Sequence, residues 1–176
     1  KGNVKLEVKS PYSNIIDAIS HGASDGMKIS INVVAMLIGF LALIAFVNYI
    51  LMKISPDLSL NVIFGYIFYP FAYAMGVPAV DVHSVATLMG QKFTINEFVA
   101  FSNLTTIKEG MSPKGLAIAS FALCGFANFS SVGMQIGGIG EMAPTRRADL
   151  AKLGMRALIC GTLASYLSAT IAGILM

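Results

Sequence analysis

The run from residue 29 to residue 52 contains no charged side chain, and a lysine stands at each end of it, Lys28 and Lys53. A helix that crosses the hydrocarbon core of a bilayer needs about 20 consecutive apolar residues, so this run is long enough to span a membrane. The composition agrees, because 56% of the residues are hydrophobic and only 12% are charged. Soluble domains carry about twice that charged share. The sequence therefore predicts an integral membrane protein with a transmembrane helix over 29–52.

The residues before this run, 1–28, predict a polar segment followed by an interfacial amphipathic helix. Apolar side chains recur at helical spacing along residues 13–27, as in helices that lie on a membrane surface. Ser13 or Asn14 can cap that helix, with Asp17 in its first turn. A short solvated helix fits the same pattern. Because the chain opens on a polar stretch and not on a methionine, we expect it to be a piece of a longer protein.

Residues 58–77 are predicted to form an interfacial helix. A hydropathy window marks this uncharged stretch as another span, but Pro70 interrupts it. Its tyrosines recur at helical spacing, which suits the aromatic belt at a membrane surface. A full span remains the alternative.

Residues 78–104 are predicted to form a re-entrant helical hairpin. The stretch is apolar only in short pieces and carries Asp81, Lys92 and Glu97, so neither half can cross a membrane alone. We predict a tight turn at 90–93 and a second arm that Asn96 caps. Glu97 would then lie in the first turn of that arm, and an ionisable group at membrane depth is by default a functional candidate. The alternative is a soluble loop with an ordinary capping acid.

Residues 114–142 are predicted to form a broken transmembrane helix. Their second half reads CGFANFSSVGMQIGGIGE, in which apolar and small residues surround four polar side chains. A polar group in hydrocarbon costs several kcal/mol without a partner, so this stretch should face a cavity or a ligand. Glycines weaken a regular helix, and so do polar side chains that hydrogen-bond to their own backbone. We therefore expect the break near 127–131. A tightly packed, Gly-rich helix is the alternative. The four polar residues are Asn128, Ser130, Ser131 and Gln135.

Residues 149–176 are predicted to form the final transmembrane helix. Basic residues crowd its start, which predicts a cytoplasmic location for that end. Small residues recur at every fourth position from Ala157 to Gly173, a pattern typical of close helix packing. Because the chain has no dense basic stripe, we expect no nucleic acid partner. The predicted fold class is an all-α membrane protein with transmembrane helices, a re-entrant helical hairpin and a discontinuous helix.

Four segments in this order make the chain similar to the C-terminal half of the concentrative nucleoside transporters, of the bacterial nucleoside permease type. The resemblance runs over nearly the whole chain. It is carried by DAISHGASDGMKISINVVAMLIGFLALIAFVN, FGYIFYPFAYAMGVP, GQKFTINEFVAF, and CGFANFSSVGMQIGGIGEMAP with the RRADLAKLGMRAL that follows it. One departure is Phe101, where many members have tyrosine.

The resemblance implies an ion-coupled nucleoside symporter that works by alternating access as a homotrimer in the cell (inner) membrane. It assigns 29–52 to the scaffold. It implies that Glu97, Asn128 and Ser131 bind the ribose and that Phe126 lies beside the base. The partners implied are a nucleoside, the lipid bilayer and the missing N-terminal half.

The same resemblance places the coupling-ion site, for Na⁺ or H⁺, in that missing half. We expect no cofactor, metal site or catalytic residue in this chain, and no enzyme. The alternatives are a channel or pore subunit and a membrane assembly protein that transports nothing.

Overall fold

The computed structural model describes residues 13–176, and over that range every regular element is a helix. In chain order the long elements are α1 (Ile15–Ile54), α2 (Leu60–Ala74), α3 (Val82–Thr94), α4 (Glu97–Ile107), α5 (Pro113–Leu123), α6 (Phe129–Met142) and α7 (Arg147–Ile174). Short 3₁₀ turns lie at Lys108–Gly110 and Pro144–Arg146. The all-α class is therefore confirmed. Residues 1–12, most of the predicted polar segment, lie outside the described residues.

α1 joins two segments that the sequence analysis separates. The predicted interfacial helix at 13–27 and the predicted span at 29–52 form one continuous helix that passes through Lys28. The stretch contains no proline, and Lys28 pairs with Asp25 at 3.4 Å within α1, so its charge does not end the helix. Asn14 caps α1 by accepting from the Asp17 N–H at 2.9 Å, as predicted.

Within residues 13–176, two helical stretches are long and apolar enough to cross a membrane by length and composition. They are Ile15–Ile54 and Pro144–Ile174. α2 has 15 residues and continues through Pro70, which sits at an exposed position instead of ending the helix.

A cluster of aromatic rings joins α2, α3 and α7. The Phe93 ring lies 5.1 Å from that of Phe64 and 5.3 Å from that of Phe68, and Tyr166 packs edge-on against Phe68 at 5.8 Å. Phe129 at the start of α6 reaches the same cluster, 4.9 Å from Phe93. Tilted and edge-on contacts of this kind are favourable beyond their buried area. The cluster therefore holds the end of α3 next to the start of α6.

The turn between α3 and α4 lies later than predicted. The sequence analysis places it at 90–93, but α3 continues to Thr94 and the chain turns at Ile95. Gly90 has another use, because a Cβ there would lie 2.8 Å from the backbone nitrogen of Gly65. The glycine thus permits close packing of α3 on α2, and the helix needs no break at that point.

α3 and α5 run in the same direction and are tied together at both ends. Asp81, just before α3, accepts hydrogen bonds from the N–H and the hydroxyl of Ser112, which begins α5. Lys92, near the end of α3, donates to the carbonyl of Ala122, near the end of α5, at 2.8 Å. A helix rises about 1.5 Å per residue, so the stretch from Asp81 to Lys92 is nearly as long as the stretch from Ser112 to Ala122. The two contacts can therefore form at both ends of two parallel helices.

α6 lies between α1 and α7. Gly133 of α6 faces the ring of Phe40 in α1 so closely that a Cβ would collide with it. On the opposite side a Cβ on Gly161 of α7 would lie 3.4 Å from that of Ala127. Small residues of α7 therefore pack closely: Gly161 lies against the segment between α5 and α6, and Gly173 lies against Ile118 of α5.

Candidate functional site

Helical geometry stops between α5 and α6, and Asn128 starts α6. Its backbone is extended, with φ −150° and ψ 169°, and its side-chain oxygen accepts from the Ser131 N–H at 2.7 Å. In return the Ser131 hydroxyl accepts from the Asn128 N–H at 3.1 Å. This capping box satisfies N–H groups that a helix start leaves without partners. The non-helical residues are 124–128, whereas the expected break was near 127–131. The break lies earlier because Asn128 caps α6 and Ser131 belongs to its first turn.

Glu97 lies at the start of α4 and contacts the start of α6. Asn96 caps α4 through the Val99 N–H at 2.9 Å, which puts Glu97 in the first turn as predicted. The carboxylate is partly buried, and its Oε2 accepts from Nδ2 of Asn128 at 2.7 Å. The positive ends of two helices thus meet at one carboxylate, a place where a negative charge is favoured.

Ser130 makes a second link between the same two helix starts. Its hydroxyl donates to the carbonyl of Ile95, in the turn before α4, at 3.1 Å. The side chain is fully buried, at 0% exposure, so the bond also satisfies a carbonyl that water cannot reach easily. The starts of α4 and α6 are therefore held together at two points, one of them at Glu97.

Lys92 is a charged residue near this site whose burial the sequence analysis missed. Its side chain is 1% exposed, and its ammonium lies 5.7 Å from the ring centroid of Tyr166 in addition to bonding Ala122. In the sequence, Lys92 is interpreted only as a charge that opposes a membrane crossing. The signal available was its position, five residues before Glu97 in a predicted hairpin.

Phe126 lies within the non-helical segment and is 53% exposed. Its ring lines a crevice of about 120 Å³ between α6 and α7, together with Ser131 and Gln135. Of the four polar residues expected to face a cavity or ligand, Ser131 and Gln135 line this crevice. The other two, Asn128 and Ser130, are bonded to α4 and the turn before it.

The four predicted site residues lie in one region. Glu97, Asn128 and Ser131 are connected by hydrogen bonds, and Phe126 presents an exposed ring two residues before Asn128. Carboxylate, amide and hydroxyl groups together can accept from and donate to a neutral ligand that bears hydroxyls. The exposed ring adds a flat apolar contact. The arrangement suits a polyhydroxylated ligand with an aromatic part.

Known proteins resemble this chain over nearly all of its length. Residues 1–173 match the family described as the Na⁺-dependent nucleoside transporter C-terminus. An uncharacterized transporter of Bacillus subtilis is 46% identical, covering 98% of this chain and 44% of the relative. Solute carrier family 28 member 3 of Mus musculus is 43% identical over 99% of this chain and 28% of its own length. Sodium/nucleoside cotransporter 1 of Oryctolagus cuniculus is 40% identical over 99% and 30%.

Solved structures of CNTnw show the same fold. A doubly substituted CNTnw in an outward-facing state superposes with a TM-score of 0.87 at 41% identity, covering 95% of this chain and 44% of that one. CNTnw in an inward-facing substrate-bound state gives a TM-score of 0.71 at 41% identity, covering 97% and 42%.

The chain spans less than half the length of these curated relatives. The relatives are transporters and not enzymes, and the members of their family are integral membrane proteins. Because the family match covers almost every residue and identity to several relatives exceeds 40%, the chain belongs to the Na⁺-dependent nucleoside transporter family, whose C-terminal part it matches.

Proposed function

We propose that the chain is the C-terminal half of an ion-coupled nucleoside symporter and supplies the ribose-binding side of its substrate site. The observation that carries this proposal is the 2.7 Å hydrogen bond between Glu97 and Asn128. It brings together, from two helix starts, the acceptor and donor groups that a pair of sugar hydroxyls needs.

The polar groups at this point have bonding capacity left for a ligand. Glu97 uses Oε2 for Asn128, and a carboxylate has a second oxygen that can accept a hydroxyl proton. The Ser131 hydroxyl has a second lone pair, and the Asn128 amide has a second N–H that a ligand would reach only after the segment opens, because Asn128 is 0% exposed in this conformation. In this proposal the ribose hydroxyls bind Glu97 and Asn128, with Ser131 beside them, and the base stacks on Phe126.

α3 and α4 form the re-entrant hairpin in this proposal, and α5 and α6 form the discontinuous helix. The bonds from α6 to Glu97 and to the Ile95 carbonyl support this assignment, because they bring the hairpin tip to the interruption between α5 and α6. Transporters build substrate sites from such half-helix ends because irregular backbone is tolerated at membrane depth only inside protein or beside water. α2, with 15 residues, serves as the interfacial helix.

The remainder of the transporter is proposed from the family. α1 would serve as the scaffold, since its apolar side chains are largely exposed and suit lipid or other parts of the protein. The base-reading residues and the site for Na⁺ or H⁺ would lie in an N-terminal half, and the working unit would be a homotrimer in the cell (inner) membrane. The TM-scores to outward-facing and intermediate states of CNTnw, 0.87 and 0.85, exceed the 0.71 to the inward-facing substrate-bound state, which supports placing this conformation away from the inward-facing end of an alternating-access cycle.

The test uses the full-length protein with Glu97→Gln, which keeps the shape of the side chain and removes its charge. Hydrogen bonds to charged groups contribute roughly 1.5 to 3 kcal/mol against about 1 for neutral ones, so nucleoside affinity should fall by about tenfold. A nucleoside without sugar hydroxyls should bind the native protein weakly and lose little more affinity in Glu97→Gln. Equilibrium binding of both ligands to both proteins measures the coupling.

Changing the base instead of the sugar is the control, because the penalty of Glu97→Gln should then stay the same. An equal penalty with and without the sugar hydroxyls would rule out Glu97 as the ribose acceptor. Accumulation of nucleoside against its gradient in proteoliposomes separates a symporter from a pore.

A further inference from the structure

Lys92 is a buried cation that the proposed ribose contacts do not use. Within residues 13–176 its ammonium makes one hydrogen bond, to the carbonyl of Ala122 at 2.8 Å, and the side chain is 1% exposed. Burying an ammonium is costly unless it is paired with groups of opposite charge. Its position therefore requires a counterpart nearby.

The end of α5 supplies one half of that counterpart. The last carbonyls of a helix have no partner within the helix and form the negative end of its dipole. The Cys124 N–H bonds the carbonyls of Ser120 and Phe121, and Lys92 takes the carbonyl of Ala122. The ammonium thus satisfies a further carbonyl in the last turn of α5.

The other half acts at longer range: within residues 13–176 the carboxylate of Glu97, five residues after Lys92, forms no direct ion pair with the ammonium but lies close enough to favour its charge. Glu97 sits at the positive end of α6, bonded to Asn128. The segment from α3 into α4 therefore brings a cation to one end and an anion to the other end of the same interruption at 124–128. Each charge matches the helix end that it meets.

Neighbouring residues hold the ammonium in place. A Cβ on Gly125 would lie 3.3 Å from Nζ of Lys92, so the interruption passes close to the charge. The Tyr166 ring lies 5.7 Å away, a distance at which a cation is attracted to an aromatic face. A cation in this position can therefore set the path of residues 124–128.

We infer that Lys92 is a positioning residue of the nucleoside site, a built-in cation that holds the carbonyl end of α5 so that Asn128 meets Glu97 correctly. The inference rests on the proposed function. In many transporters with broken helices, the carbonyl end of a half-helix binds the coupling cation. In this chain a lysine of the protein occupies that end, so we expect this half of the site to need no dissolved cation there.

The test compares Lys92→Gln with Lys92→Arg in the full-length protein. Glutamine keeps an N–H donor but has no charge and is one bond shorter than lysine, whereas arginine keeps the charge. Because charge-assisted hydrogen bonds are about twice as strong as neutral ones, we expect roughly tenfold weaker nucleoside binding in Lys92→Gln and substantial recovery in Lys92→Arg. Lys108→Gln, at an exposed lysine, is the matched control and should bind as the native protein does.

Two further readouts separate positioning from general stability. The Lys92→Gln penalty should disappear for a nucleoside without sugar hydroxyls and should not add to that of Glu97→Gln. Without any ligand, amide hydrogen exchange over residues 124–131 should be faster in Lys92→Gln than in the native protein. If Lys92→Gln does not fold, Lys92→Arg decides, because hydroxyl-dependent binding should persist in it.

Native binding and native exchange in Lys92→Gln would overturn the inference. Equal losses of nucleoside affinity in Lys92→Gln and Lys92→Arg, with and without the sugar hydroxyls, would also overturn it, because such losses would reflect packing alone. A native protein that binds no nucleoside would instead remove the proposed function. The exchange measurement would still show whether Lys92 holds the end of α5.

Discussion

Asn96 and Asn128 begin the two helices that meet at the site, and they cap those helices in the same way. Each has an extended backbone and accepts from the N–H three residues later, at 2.9 Å and 2.7 Å. Their surroundings differ. Asn128 is fully buried, is bonded in return by Ser131 and donates to Glu97, whereas Asn96 is only partly buried and makes the cap bond alone within the described residues. One local signal thus yields a structural cap in one place and a candidate site residue in the other.

The largest effect is expected for Asn128→Ala. The change removes a helix cap and leaves a partly buried carboxylate without its donor, so we expect a loss of about 2 to 3 kcal/mol of stability. Nucleoside affinity should fall by at least about tenfold because Glu97 loses its partner. Equilibrium unfolding and ligand binding of the full-length protein measure the two effects.

Asn128→Asp sharpens the same experiment. Aspartate caps a helix as well as asparagine does, so the start of α6 should persist. The Nδ2 donor is replaced by a second carboxylate facing Glu97, and like charges at this distance repel each other. We expect a folded protein with weak nucleoside binding. Native affinity in Asn128→Asp would mean that the contact with Glu97 has no part in the site.

A smaller effect is expected for Gly125→Ala. The interruption at 124–128 needs a glycine, because a Cβ on Gly125 would collide with the hydroxyl of Ser165 in α7. The turn before α4, at 95–96, contains no glycine. Overpacking of this kind costs typically about 1 to 3 kcal/mol. Thermal unfolding of the full-length protein measures it.

Ser165→Gly added to Gly125→Ala should recover most of that loss, because it removes the colliding hydroxyl. Gly110→Ala is the matched control, since nothing lies within 4 Å of a Cβ at that position. It should change stability by less than about 0.5 kcal/mol. If both alanine variants behave alike, the interruption is not constrained by α7.

The smallest effect is expected for Asn96→Ala. Loss of an ordinary N-cap costs about 1 kcal/mol, and the carboxylate of Glu97 keeps its bond to Asn128. Unfolding should therefore shift modestly while nucleoside affinity stays near the native value, and Asn96→Ser should restore stability. If Asn96→Ala lost as much nucleoside affinity as Asn128→Ala, Asn96 would not be only a structural cap.

Residues whose structure depends on their own neighbours could be predicted from sequence. Asn14 and Asn96 cap their helices as expected, because an N-cap bond spans only three residues. The predictions failed where a distant segment decides the outcome. Gly90 was expected in a turn but is needed for close packing on Gly65. The boundary expected near Lys28, in contrast, is absent for a local reason, because α1 has no proline there and Lys28 pairs with Asp25 in the same helix.

The sequence by itself determined the helical class, the apolar runs and the caps at Asn14 and Asn96, which follow from composition and from interactions within one or two turns of helix. Glu97, Asn128 and Ser131 stand out as polar groups in apolar stretches, whereas their roles and the choice of Phe126 come from the resemblance of the sequence to a known family. Only the tertiary structure decided that Glu97 meets Asn128, which lies 31 residues later, and that Lys92 is buried against the end of α5. Such contacts depend on how whole helices pack. The charges and spacing along the chain do not predict which helix ends will meet.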